Sequence, residues 1–249
     1  MTSPLLRAVR QREDAYTPPL VVPRDEFLSD YWDYTPGQHV TILAPTQWGK
    51  TTFCYQLLDT VSTPKLPTYV LVIKPRSPVT ERWGKRLDFK TIRQWPMPIQ
   101  IVKRRGYNLW PRHTKGDPAA NDKQLAAIFG RALDDLYHKG NCQILVDEST
   151  GFTDDLNLSR HVSTIHKRGA EMRCGMWVTD QRPFYVVQTA YSQAEHLFIG
   201  KSTDARDRKR YGEIGGIDPY VVDRATLGLE KYQWLYIRRT GPQMCIVDK

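Results

Sequence analysis

The chain has 249 residues, 40% hydrophobic and 25% charged, with 36 lysines and arginines against 27 acidic residues and a formal charge of +9. That length suits one large domain, or a domain with arms, whose core needs no disulfide staples, and the composition excludes a disordered chain. No apolar run reaches the roughly 18 residues a membrane helix requires, and the start MTSPLLRAVRQRED lacks a secretory h-region, so a membrane protein and a secreted disulfide scaffold are not expected. The basic excess points toward a polyanionic partner.

Residues 1–36 read as an N-terminal arm: a basic stretch LLRAVRQR, then Pro18, Pro19 and Pro23, then Tyr31, Trp32 and Tyr34 as the aromatics that pack it on the body. Pro36-Gly37 turns the chain into a domain over 37–249. HVTILA (39–44) predicts a buried strand, TTFCYQLLDTV (51–61) a helix stopped by Pro64, TYVLVIK (68–74) a strong strand and IQIVK (99–103) a shorter one. Over 121–140, Leu125, Ile128, Phe129, Ala132, Leu133 and Leu136 share a helical face, with Asn121 or Asp122 as the cap and Gly140 as the stop. CQILVDE (142–148), GMWVTDQ (175–181) and HLFIG (196–200) predict further strands, and 232–239 with 243–247 a C-terminal β-hairpin. Alternating apolar runs and helices imply an α/β domain with a mostly parallel sheet. Cys54, Cys142, Cys174 and Cys245 show no metal spacing and read as buried, reduced thiols.

The sharpest feature is Ala44-Pro45-Thr46-Gln47-Trp48-Gly49-Lys50-Thr51-Thr52, which matches GxxxxGK[ST] except for Ala44 in place of the first glycine. Such a loop turns backbone N–H groups around a phosphate, reaches the β/γ oxygens with its lysine, and offers a hydroxyl to Mg²⁺ at a helix N-terminus. A bare GK[ST] arises by chance in roughly one chain in eight of this size. Here an apolar strand ends where the loop begins and a helix starts at the Lys-Thr step, which is the context the motif requires.

CQILVDES puts Asp147 and Glu148 at the carboxyl end of a buried strand, the edge where ligands of open α/β sheets bind. Two adjacent carboxylates repel, and a bound Mg²⁺ resolves the conflict: Asp147 holds the ion, usually through water, and Glu148 polarises the attacking water. Gln181 ends the next strand as a contact to the γ-phosphate or the water, with Thr179 and Asp180 as alternatives by position. The helix before that strand carries Arg160, His161, Lys167, Arg168 and Arg173. Its default reading is a solvated face; the functional one is an interface that pushes an arginine into a neighbour's site, Arg168 first and Arg173 next.

The order APTQWGKTT, VLVIKPRSP, RRGYNLWPR, ALDDLYHKGNCQILVDES, RGAEMRCGMWVTDQRP and AEHLFIGKSTDARDRKR resembles the FtsK/HerA-like DNA-pumping ATPases, in particular the small packaging ATPases of viruses and phages, over about residues 37–240. The resemblance implies a P-loop NTPase three-layer α/β/α fold. It also implies ATP and Mg²⁺ bound through Lys50 and Thr51, Asp147 as the metal-side acid, Glu148 as the catalytic carboxylate and Gln181 as the sensor. A ring is implied as well, a hexamer or pentamer, with sites between subunits and duplex DNA in the pore. Ala44 and Asp180 depart from the family pattern, the second at a position where a threonine commonly precedes the glutamine. Membrane segments and a small DNA-reading domain found in chromosome-segregation members are not recognised, which favours a packaging motor in the host cytoplasm acting with a capsid portal or vertex protein.

Residues 103–115 interleave Lys103, Arg104, Arg105, Arg112 and Lys115 with Tyr107 and Trp110 and read as a loop that tracks phosphates without reading sequence. The stretch 74–86 is equally eligible, and Asp204–Arg210 reads as an exposed helix available to a neighbour. The expected function is therefore an ATP-driven motor for double-stranded DNA. The rivals are a translocase of plasmid transfer or processing, a nucleotide or small-molecule kinase, and a non-catalytic DNA-binding scaffold with a relic nucleotide site.

Overall fold

The computed structural model describes residues 16–97, 103–114, 116–182, 186, 188–214, 217–240 and 243–249. The predicted stretch LLRAVRQR, most of IQIVK and the candidate Lys115 lie outside the described residues. The apolar runs form β1 (Leu20–Val22), β2 (Val40–Leu43), β3 (Thr68–Leu71), β4 (Lys90–Ile92), β5 (Gly106–Leu109), β6 (Cys142–Asp147), β7 (Cys174–Asp180), β8 (His196–Ile199), β9 (Trp234–Arg238) and β10 (Gln243–Val247). They make one sheet in the order β1-β10-β9-β8-β2-β7-β6-β3-β5-β4. β9 runs antiparallel to both β8 and β10, the expected C-terminal hairpin, and the remaining pairs are parallel.

Side chains alternate strictly across this sheet, as a two-residue period requires. Ile144 and Val146 of β6 and Met176 and Val178 of β7 face one layer, with Leu125, Phe129 and Leu133 of α3 (Pro118–Lys139) and Val162 and Ile165 of α4 (Ser159–Arg168). Ile42, Leu145, Trp177 and Phe198 face the other, with Phe53, Leu57 and Leu58 of α1 (Lys50–Val61) and Trp83 of α2 (Pro78–Arg86). Helices on both faces bury a near-continuous apolar sheet, hence three layers.

The arm adds β1 to the sheet beside β10 and inserts Phe27 and Trp32 into the α1 layer. Trp32 and Tyr34 lie 5.8 and 5.2 Å from the Trp177 ring, centroid to centroid, whereas Tyr31 stays exposed. The long helix starts three residues before the predicted Asn121, because Asp117 is the cap, accepting from the Ala120 N–H at 3.0 Å, and Pro118 follows it at the first helical position. The stretch read as a basic loop, 103–115, has a buried strand, β5, in its middle, between β3 and β4. Tyr107, Leu109 and Trp110 bury there, and the charges on either side hide the short strand in the sequence. All four cysteines are buried and free. No helix among the described residues is long and apolar enough to cross a membrane.

Candidate active site

β2 ends at Leu43 and the chain turns through the loop 44–49 into α1. Gln47 and Gly49 take positive φ, 62° and 87°, so the backbone curls inward before the helix begins. Gly49 is suited to this because it carries no Cβ to penalise the left-handed conformation. No side chain caps α1, so its first N–H groups and the positive end of its dipole face the loop, which makes an anion site. Lys50 Nζ donates to the carbonyls of Ala44, at 2.6 Å, and Pro45, at 3.0 Å. Burial lowers the Lys50 pKa, with the carboxylates of Asp147 and Asp180 opposing and the ammonium of Lys74 adding to the shift. Trp48 braces the loop, its Nε1 donating to the Gln233 carbonyl at 2.9 Å beside the C-terminal hairpin.

β6 and β7 deliver the acids to the same edge. Asp147 pairs in register with Thr179, whose Oγ1 donates to Asp147 Oδ1 at 2.8 Å and accepts from the Glu148 N–H at 3.1 Å. Glu148 leaves the strand with φ 73°, which swings its side chain over the loop. Thr51 Oγ1 lies 3.3 Å from both carboxylate oxygens of Asp147. A hydroxyl and a carboxylate oxygen are hard donors of the kind Mg²⁺ takes. Among the described residues no three His, Cys, Asp or Glu gather as a metal site, so the phosphates and water would complete the shell of any Mg²⁺ bound between Thr51 and Asp147.

Gln181 connects the parts. Its Nε2 donates to Glu148 Oε1 at 2.8 Å, and its Oε1 accepts from Thr46 Oγ1 of the loop at 2.7 Å. The departure at Asp180 has a different use from phosphate contact. Buried to 3% exposure, Asp180 accepts from Ser149 Oγ at 2.8 Å, from Thr150 N at 2.7 Å and Oγ1 at 2.6 Å, and from the Gln181 N–H at 2.7 Å. Lys74, which the sequence places at the end of a strand, in the VLVIKPRSP segment and at the start of the basic stretch 74–86, but to which it assigns no site role, is a member of the site: its Nζ lies 3.1 Å from Glu148 Oε2 and 3.7 Å from Asp147 Oδ2. Burial works against its charge, but the two carboxylates outweigh burial and its pKa is raised. The signal available in the sequence was its place three residues past a strand that ends at this edge, followed by a proline.

The remaining basic candidates are dispersed. Arg168 ends α4 and Arg173 immediately precedes β7, so both stand at the amino edge of the sheet, away from the loop. β5 separates Lys103, Arg104 and Arg105 at the amino edge from Arg112 at the carboxyl edge. Arg104 pairs with Asp88, and Arg105 Nη2 with Asp59 Oδ1 at 2.9 Å. Lys103 and Arg104 line a cleft of about 730 Å³ that Lys65 and Lys139 also line, two lysines the sequence reading did not single out. The 204–210 run is not an exposed helix all round: Asp207, 6% exposed, pairs with Arg182 at 3.1 Å, and Arg208 with Asp223 at 2.7 Å.

No family model matches the chain, and no curated protein matches it in sequence. Solved structures match it in fold. The genome packaging NTPase B204 from Sulfolobus turreted icosahedral virus 2, in complex with sulfate, is 12% identical, with 86% of this chain and 98% of that one covered and a TM-score of 0.58. The chain has the three-layer α/β/α fold of P-loop NTPases. VirB4 of Thermoanaerobacter pseudethanolicus matches at 8% identity over 85% of this chain and 89% of its own, TM-score 0.61. EssC (ATPases 2 and 3) from Geobacillus thermodenitrificans matches at 10% identity over 87% and 40%, TM-score 0.55. At these identities the likeness is one of fold.

Proposed function

We propose that the chain hydrolyses ATP and uses the energy to move double-stranded DNA, as the motor that packages a viral genome into a capsid. One observation carries the reading: Lys50, Thr51, Asp147, Glu148 and Gln181 line one cavity at one sheet edge, with Thr51 beside Asp147 and Gln181 bonded to Glu148, around a loop built to hold phosphate. Lys50 would exchange the carbonyls of Ala44 and Pro45 for phosphate oxygens. Thr51 and Asp147 fit a Mg²⁺ that neutralises developing phosphate charge when bound. Glu148 orients the attacking water and takes its proton as ADP and phosphate separate. Gln181, bonded to both Glu148 and the loop residue Thr46, couples the state of the loop to that carboxylate.

The DNA half of the proposal rests on the +9 charge and on the cleft lined by Lys65, Lys103, Arg104 and Lys139. A packaging NTPase with this fold, B204, supports it by analogy of architecture. A ring of five or six copies would place Arg168, remote from its own loop, as the arginine offered to a neighbour's site, and a portal or vertex protein as the capsid partner. The test is the steady-state ATPase rate with and without duplex DNA. We expect stimulation by DNA of any sequence that weakens steeply with salt, and loss of hydrolysis in Glu148→Gln. A wild-type protein without ATPase activity would overturn the enzyme; one whose rate ignores DNA would overturn the motor.

A further inference from the structure

We propose that Lys74 is a second phosphate-binding lysine, shared between Glu148 and the terminal phosphate of the nucleotide, so that the site distinguishes a triphosphate from a diphosphate. The inference rests on the ATPase reading and adds a residue to it.

Three observations carry it. First, the main chain at Lys74 is held in place. Val72 N–H donates to the Leu109 carbonyl at 3.0 Å, the Trp110 indole Nε1 donates to the Lys74 carbonyl at 2.7 Å, and Pro75 narrows the backbone freedom of Lys74. A half-exposed lysine on a fixed backbone presents its ammonium at a defined place. Second, that place is inside the site: Lys74 lines a cavity of about 210 Å³ together with Thr46, Gly49, Lys50, Thr51, Asp147, Glu148 and Gln181. Third, its partners are the two carboxylates themselves, Glu148 Oε2 at 3.1 Å and Asp147 Oδ2 at 3.7 Å, and its ammonium stands close enough to Lys50 to help lower that lysine's pKa. Two ammoniums on the walls of one small cavity, beside the carboxylates of Asp147, Glu148 and Asp180, offer phosphate oxygens a charged donor from two sides.

The charge balance gives the consequence. With Gln181 on Oε1 and Lys74 on Oε2, both oxygens of Glu148 are engaged. A terminal phosphate in the cavity carries more negative charge than one carboxylate and competes for the ammonium. Lys74 then moves its bond toward phosphate and releases Oε2 to a water. A diphosphate lacks the group that competes and leaves the Lys74–Glu148 pair closed. A lysine serving only as a structural ion pair would show no such preference.

The experiment measures Kd for a non-hydrolysable β,γ-methylene ATP analogue and for ADP, both with Mg²⁺, in wild type, Lys74→Met and Lys74→Arg. Losing a charge-assisted phosphate contact should weaken the triphosphate by about 10- to 100-fold while ADP changes less than about threefold. Lys74→Arg, which keeps the charge, should recover most of the difference. An unchanged ratio of the two constants in Lys74→Met overturns the proposal, as does an equal loss for both nucleotides. A wild-type protein that binds neither nucleotide would instead refute the ATPase reading. Thermal unfolding of each variant confirms that the protein tested is folded, and Lys74→Arg gives an independent reading should Lys74→Met be unstable: if that arginine variant discriminates no better than a chargeless site, the proposal fails.

Discussion

Replacing Thr179 with valine should damage stability and catalysis together. Thr179 is fully buried on β7, opposite Asp147 in register, and its one oxygen serves both acids. It donates to Asp147 Oδ1 at 2.8 Å and accepts from the Glu148 N–H at 3.1 Å. Valine keeps the shape and removes that oxygen. The hydrogen bond to an ionised carboxylate contributes about 1.5–3 kcal/mol, and a buried N–H left without an acceptor costs about 1–3 kcal/mol. The two losses share one atom and do not add fully, so we expect about 2–4 kcal/mol. Urea unfolding followed by fluorescence measures this as a shift in midpoint at constant slope. The ATPase rate should fall at least tenfold, roughly 1.4 kcal/mol in barrier, because both carboxylates lose the group that orients them. Thr179→Ser, which restores the oxygen, should recover the activity and give up about 1 kcal/mol for the missing methyl. A valine variant within about 0.5 kcal/mol of wild type, the range of an ordinary surface change, and with unaltered rate would show that the hydroxyl bridge does not organise the site.

Two further perturbations test the frame behind the site. An alanine at Gly175 would drive its Cβ into Tyr34 Oη and to 2.7 Å from the Gln38 carbonyl, so Gly175→Ala should expel Tyr34 from Trp177 and lower stability by about 1–3 kcal/mol, read by denaturation and tryptophan fluorescence; a variant as stable as wild type would mean the arm is not docked there. Burial holds His39 at a pKa of about 4 and His166 and His196 at about 3, the second further depressed by His39 and the third by Arg238. Their folded values lie below the ordinary 6.5, so the unfolded chain takes up protons first: stability is full above about pH 6.5 and falls as pH drops toward 4, by about 2 kcal/mol per histidine at pH 5. Urea midpoints at pH 7 and pH 5 measure the slope, and equal midpoints would refute it.

Most of the candidate site was legible because phosphate chemistry would need particular residues at fixed spacing, and those residues sit at strand ends that apolar runs announce. Lys50, Thr51, Asp147, Glu148 and Gln181 could be read in that way. β5 could not, since four residues, Gly-Tyr-Asn-Leu, between arginines and a proline carry too little pattern to separate a central strand from a basic loop. Lys74 could be placed at the end of a strand and at the head of a basic stretch, but no phosphate motif includes it, and only the register of β3 against β6 brings it to Glu148. The contribution of the arm was half visible. Its aromatics suggested docking, but that Leu20–Val22 would extend the sheet beside β10 depends on pairing across more than two hundred residues, which no local pattern encodes.

The aspartate at position 180 bears on how the edge carrying the candidate site is assembled. In the sequence it stands as a departure that puts the sensor role of Gln181 in question. In the structure its Oδ2 gathers Ser149 and Thr150, the two residues after Glu148, while its Oδ1 accepts from the Gln181 N–H. The carboxylate thus ties the turn after Glu148 to the backbone of Gln181. Without such an anchor, a non-glycine residue at φ 73° would relax out of the left-handed region, carrying its side chain away from the loop. Replacement by asparagine would not be neutral, because one of its two faces becomes an NH₂ that opposes a backbone N–H whichever way the amide is turned. The departure therefore supports the geometry of Glu148 and Gln181, and the last three residues at this strand end divide the work. Thr179 aligns the carboxylates, Asp180 fixes the turn behind them, and Gln181 joins Glu148 to the phosphate loop.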